Sequence, residues 1–235
     1  MTQSNSILMI ILLPRVEKCF ESEKCTYHNL QVEDVVGEMN PNICHDRKVA
    51  FIHNPKAAGT SFRHWFGISG PHNHGFPTIN IPLEIWHSYT SIVVVRDPIE
   101  RALSAYRFHT DENYNGSYLL RYPDLRSWDP NKWFVEMINN QIYVLACQYK
   151  YTMHLQSNKR PDYLFHFETM DTSELAKHLG MKEQFPVKNA GKNKKFVDLS
   201  EDMYYSLVDY YKVDYLLFGY KPKSYREFMV GQLAV

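Results

Sequence analysis

Residues 51–62 read FIHNPKAAGTSF, an apolar run that breaks at Asn54 and Pro55 into a lysine, small residues, one glycine and two hydroxyls before the next aromatic. The stretch KVAFIH (48–53) fits a short buried strand, and the turn chemistry at its end predicts a loop that feeds a helix. That helix begins near Thr60, where Phe62, Trp65 and Phe66 recur at spacings of three and four. A glycine-containing turn ahead of a helix can cradle an anion, because the first backbone N–H groups have no intrahelical acceptor and the dipole favours negative charge. Gly59 lets the backbone approach closely, Thr60 and Ser61 add hydroxyl donors, and Lys56 adds a full positive charge. An ordinary strand-to-helix turn with an exposed lysine is the competing reading of this stretch by itself. It is not a Walker A loop, since the lysine precedes the glycine instead of following it.

A second strand-loop-helix unit follows. SIVVV (91–95) is a run of β-branched residues ending at RDP, and PIERALSAYRFH has helical spacing with Pro98 suited to the first turn. In a parallel sheet, ligands gather at the carboxyl ends of strands, so Arg96 and the first loop can face one crevice. Arg96 offers a bidentate fork for phosphate, and Ser104 lies about two turns into the helix. A salt bridge from Arg96 to Asp97 or Glu100 and a solvated position for Ser104 are the plainer alternatives.

The rest of the chain continues the alternation. Asp129 and Pro130 open a helix running to about Tyr149, DYLFHF (162–167) is a third strand, and DTSELAKHLG is a helix closed by Gly180. Asp198 and Glu201 stand at capping-box spacing before a tyrosine-rich helix. Alternating strands and helices predict a single-domain α/β fold, a mostly parallel sheet flanked by helices on both faces. Residues 1–47 read as an irregular lead-in and 48–235 as the working domain. The segment 68–90, rich in Gly, Pro, Asn and His, is a loop long enough to suspect of function.

Composition narrows the function further. The 26 basic and 26 acidic side chains cancel, so no polyanion such as nucleic acid is drawn in by net charge, and an anion site must be local. Cys19, Cys25, Cys44 and Cys147 form no zinc-ligand pattern, and no metal site is expected; an N-terminal disulfide is the minority reading against reduced thiols. The apolar stretch 7–14 is far shorter than the ~20 residues of a spanning helix and reads as a buried strand, with a clipped signal anchor as the minority reading. A soluble, cytoplasmic protein is the expectation, with the Golgi lumen as the alternative.

HNPKAAGTSF followed by VVVRDPIERALSAY resembles the PAPS-dependent sulfotransferase superfamily, with its 5′-phosphosulfate loop of the form P-K-x-x-G-T-[ST] and its 3′-phosphate motif R-[DN]-P-x-x-R-x-x-S-x-Y. Two residues between Lys56 and Gly59 are similar to the carbohydrate branch, including the uronyl or heparan sulfate 2-O-sulfotransferases. The resemblance implies a P-loop-like sulfotransferase fold and O-sulfation of a carbohydrate or glycoconjugate, with PAPS (3′-phosphoadenosine 5′-phosphosulfate) as donor and no metal. It further implies that Lys56 contacts the phosphosulfate, that Ala58, Gly59, Thr60 and Ser61 form the loop holding the 5′-phosphate, and that Arg96 and Ser104 bind the 3′-phosphate.

The acceptor hydroxyl needs a base, and histidine has a suitable pKa. His72 and His74 in GPHNHGFP lie between the two motifs and resemble the catalytic pair of the uronyl enzymes; His74 is the expected base and His72 its assistant. Exposed loop histidines are the plain alternative, His87 is the reserve base, and His53 and His64 read as structural. In the family a loop near KNAGKNKK closes over nucleotide or sulfated chain, which makes Asn189, Lys192 and Lys194 candidates for anion contact. Tyr204, Tyr205, Tyr210 and Tyr211 read as core and interface before sugar platform. The rival functions are a P-loop-like kinase of a small substrate and an inactive nucleotide-binding protein of the same fold.

Overall fold

Apolar runs that are buried on both faces build the centre of the molecule. The computed structural model describes residues 42–69, 74–187 and 195–233, all within one compact unit. His72, Asn189, Lys192, Lys194, the stretch 7–14, Cys19 and Cys25 lie outside the described residues. Four strands pair in sequence order: β1 (Ile43–Cys44), β2 (Val49–Ile52), β3 (Thr90–Val95) and β4 (Tyr163–His166). β2, β3 and β4 are parallel, with Ile52 opposite Val93 and Val95 opposite His166. β1 is antiparallel to β2, so the sheet begins ahead of residue 48.

Side chains alternate between two cores. Val49, Phe51, Ile92 and Val94 pack beneath Phe62, Trp65 and Phe66, whereas Ala50, Ile52 and Val93 pack with Ile81, Trp86 and Tyr151. Both faces are thus apolar, as a parallel sheet covered by helices requires. The first core is closed by α1 (Gly59–Trp65), and the second by α3 (Leu83–Ser88) with Phe76 and Ile81, which flank α2 (Pro77–Asn80); α2 and α3 occupy part of the expected loop 68–90.

α4 (Pro98–His109) starts where Asp97 caps it, its carboxylate accepting from the Glu100 N–H at 3.0 Å. After α5 (Tyr118–Arg121) comes α6 (Pro130–Asn139), capped by Asp129. α6 stops ten residues short of the expected Tyr149, because Gln141 turns left-handed (φ 50°) and the chain continues as two 3₁₀ turns, Tyr143–Leu145 and Gln148–Tyr151. Apolar periodicity alone does not register such a break. α7 (Ser173–His178) is followed by Gly180 at φ 62°.

The tyrosine-rich segment divides into α8 (Glu201–Tyr210) and α9 (Lys212–Phe218), followed by α10 (Tyr225–Leu233). The cap of α8 is Ser200, which accepts from the Met203 N–H at 3.2 Å, and not Asp198. Tyr204 and Tyr211 are buried core residues. Among the described residues no helix is long and apolar enough to cross a membrane.

Candidate active site

The carboxyl ends of β2 and β3 each release one charged loop. After β2 the chain passes through His53, Asn54 and Pro55 to Lys56, which sits at φ 63°, and then Ala58 at φ 58°, the cap of α1. Two non-glycine residues in the left-handed region store strain of about 1–3 kcal/mol each, a cost tolerated where a loop must hold one shape. Gly59 has ordinary φ, and its need is spatial: a Cβ there would stand 1.8 Å from Nε2 of His53. The close approach expected of this glycine is therefore made by the His53 ring.

Lys56 is partly buried, its ammonium 4.0 Å from the centroid of the Phe108 ring on α4. Desolvation, and then the charge of Arg96, push its pKa down to about 8. Arg96 follows β3 and donates from Nη1 to the Lys56 carbonyl at 3.2 Å, tying the two loops together. Its guanidinium lies 3.8 Å from Glu100 and 4.7 Å from the Phe167 ring centroid. The ion pair with Glu100 was the plainer reading of Arg96 and it exists, but partial burial still lowers the Arg96 pKa. Among the described residues no carboxylate pairs with Lys56. Ser104 is half-buried on α4, one turn before Phe108. Ser61 is buried and Thr60 half-buried in the first turn of α1.

The histidines separate by position. His74 lies 4.1 Å, centroid to centroid, from His53, and stacks on Tyr143 at 5.6 Å. His53, buried and in contact with Gly59, thus stands between the expected base and the Lys56 loop, a placement its strand-end position in sequence did not convey. His64 is exposed on α1. His87 does not fit the part of reserve base: it bonds Ser157 Oγ at 3.1 Å ahead of β3, at the amino end of the strands. Six strand residues at about 3.3 Å each put it roughly 20 Å from the Arg96 end.

A buried polar bridge beneath the two loops escaped the sequence reading. The Gln148 side chain accepts from the Arg96 N–H at 2.9 Å, donates to the Arg96 carbonyl at 2.7 Å, and accepts from Asn54 Nδ2 at 2.9 Å. Asn54 Nδ2 also donates to the Val94 carbonyl at 2.9 Å. Gln148 is held in turn by Asp214 of α9, whose carboxylate accepts from the backbone N–H groups of Gln148 and Tyr149 at 2.7 and 2.9 Å. Desolvation pushes the Asp214 pKa up to about 6 against these hydrogen bonds and the charge of Arg101. Arg101, fully buried, donates to the carbonyls of Val144 and Ala146 at 2.8 and 2.6 Å and so fixes the segment that carries Gln148. The one signal in sequence was a glutamine and an aspartate in otherwise apolar surroundings.

Parallel strands that deliver a partly buried lysine and an arginine to two bonded loops, beside a helix N-terminus, define an α/β protein with a candidate anion site. Comparison with known proteins makes this specific: the chain belongs to the sulfotransferase family, whose model matches residues 40–221, more than half its length. It is a sulfuryl transferase by family. No curated protein and no solved structure matches the chain. Among the described residues no group of three or more His, Cys, Asp or Glu side chains is arranged to hold a metal ion.

Proposed function

We propose that the protein moves a sulfuryl group from PAPS to a hydroxyl of a carbohydrate or glycoconjugate, with residues 48–235 and the added strand β1 as the working domain. The observation that carries this reading is the linked pair of loops, with Arg96 bonded to the Lys56 backbone, the His53 ring packed on Gly59 and the His74 ring packed on His53. Two neighbouring cations, one with its pKa lowered by burial and by the other, make a site that gains from taking up a polyanionic headgroup. In this reading the Ala58–Ser61 turn holds the 5′-phosphate, and Arg96 with Ser104 holds the 3′-phosphate. Asn189, Lys192 and Lys194 add anion contacts from the basic loop. The two-residue gap between Lys56 and Gly59, and the His-x-His pair, support the carbohydrate branch.

PAPS supplies an activated sulfuryl group, and the chain supplies position and charge. His74 takes the proton from the acceptor hydroxyl, whose oxygen attacks sulfur in line as the bond to the bridging oxygen breaks. Lys56 stabilises the negative charge that grows on that bridging oxygen, an effect strongest in the transition state. His72 orients the acceptor or the base. The products are a sulfate ester, adenosine 3′,5′-bisphosphate and a protonated His74.

His74→Ala is expected to lower kcat by about 10²–10⁴-fold, the usual contribution of a positioned base. Affinity for adenosine 3′,5′-bisphosphate should stay at the wild-type value. A His74→Ala protein that retains its full turnover would remove histidine from the base role.

A further inference from the structure

We propose that an open ring of aromatic side chains beside Lys56 is the acceptor surface, and that it selects a pyranose chain of low charge over a polyanion. The inference rests on the sulfotransferase site described above and deepens it to an acceptor class.

The ring has two arms, one packed around His109 and one through Tyr143 and His74. Phe108, under the Lys56 ammonium, meets Tyr114 edge-on at 5.3 Å; Tyr114 meets His109 at 5.0 Å; His109 meets Tyr118 at 5.2 Å. After desolvation, Tyr143 and Tyr114 raise the pKa of Tyr118, and Tyr114 raises that of Tyr143, which sets Tyr143 beside the other two. Tyr143 then carries the stacked ring of His74, which returns through His53 to Gly59. A surface of this kind starts at the catalytic lysine and ends at the candidate base, which is where an acceptor hydroxyl has to be presented.

Its chemistry limits what it can hold. Aromatic faces pack against the CH faces of a sugar ring, while tyrosine hydroxyls bond to its hydroxyls. Phe108 is 50% and Tyr143 44% exposed, Tyr114 and Tyr118 are half-buried, and His109 lies buried beneath them, so the outer edge of the ring is open, unlike the enclosed slot that buries a small phenol. The segment 110–128 that supplies Tyr114 and Tyr118 has three acidic residues, Asp111, Glu112 and Asp124, against Arg121 and Arg126. Both arginines are engaged, Arg121 with Asn140 Oδ1 at 2.9 Å and Arg126 with the Tyr114 carbonyl. A chain dense in sulfate or carboxylate needs arginine or lysine partners along its length, and this segment gives it a slight excess of acid instead.

The segment is also built to shape. A Cβ on Gly116 would come within 2.4 Å of the Tyr114 hydroxyl, so the glycine allows that ring to fold back over its own loop. His109 keeps its place through Nδ1–H donated to the Ala105 carbonyl at 2.8 Å, and burial lowers its pKa to about 4, so it adds a neutral ring and no charge.

The test supplies the full chain with radiolabelled PAPS and three acceptor pools: neutral oligosaccharides, heparan sulfate, and simple phenols. Label is expected in the neutral pool. Tyr143→Ala should raise the acceptor KM at least tenfold, with Tyr143→Phe intermediate, while affinity for adenosine 3′,5′-bisphosphate is unchanged. Tyr143 is exposed, so neither variant threatens the core. Label confined to heparan sulfate or to phenols, or an unchanged KM in Tyr143→Ala, overturns the proposal. Label in no pool also overturns it if adenosine 3′,5′-bisphosphate still binds; loss of that binding would instead sink the donor reading beneath it.

Discussion

Lys56 shows how far a single residue can be read. Its place between Pro55 and Gly59 pointed to an anion, but its energetic state needed the fold: partly buried, 4.0 Å from the Phe108 centroid, with a pKa of about 8. A lysine whose folded pKa lies below its ordinary value destabilises the free protein at pH below about 8, and the penalty fades as pH rises toward 10.5. Lys56→Met should therefore raise the melting temperature of the free protein at pH 7 by about 2–4 °C. It should also reduce turnover by about 10²–10³-fold. A scan of both quantities against pH checks the account, because the thermal gain must shrink above pH 8 while donor affinity of the wild type falls by up to tenfold per pH unit. A variant that is less stable at pH 7 would contradict the buried-charge description. Gly59 and His53 make the opposite point. The glycine was legible and its reason was not, since no local pattern announces that an imidazole will occupy the space of its missing side chain.

Elements were legible where capping and periodicity agree. α4 begins and ends with PIERALSAYRFH because Asp97, Pro98 and the apolar stripe all mark the same boundaries. α6 was overrun because Gln141 and the two 3₁₀ turns after it carry no proline or glycine to mark the break. That break is where the site gains its support, since it delivers Gln148 between Asn54 and Arg96. Replacing Gln148 by alanine strands the Arg96 N–H and leaves Asn54 with one acceptor fewer. The expected cost is about 1–3 kcal/mol of stability, together with weaker binding of adenosine 3′,5′-bisphosphate. Gln148→Glu tests position against mere packing: it retains acceptor oxygens for Asn54 and the Arg96 N–H but loses the donor to the Arg96 carbonyl, so its affinity should fall between alanine and wild type. Equal donor affinity in all three proteins, measured by titration calorimetry, would mean the bridge supports the fold and not the site.

For the whole molecule, the α/β class and the mostly parallel sheet followed from strand-loop-helix units read twice over, whereas the strand order β1-β2-β3-β4 comes from the fold. The antiparallel β1 did not, because two residues leave no periodicity to detect. The proposed acceptor surface was the least legible: Phe108, Tyr114 and Tyr118 share one stretch and Tyr143 comes from another, with no pattern to relate them, whereas the conspicuous Tyr204 and Tyr211 are buried core. Net charge of zero, with Lys56 and Arg96 in one crevice, fits a protein that handles one compact anion. The central claim is that this crevice holds a 3′-phosphorylated adenosine nucleotide. A thermal-shift titration with adenosine 3′,5′-bisphosphate, with ADP and magnesium as control and Arg96→Ala alongside, tests it most directly, since a ligand of the folded state raises the midpoint by mass action. The account predicts a shift with the 3′-phosphorylated ligand and none with ADP. It also predicts an affinity about 10–100-fold weaker in Arg96→Ala, the loss expected for a charged hydrogen bond. No shift, a shift with ADP and magnesium only, or an Arg96→Ala protein that binds as tightly as wild type would contradict it.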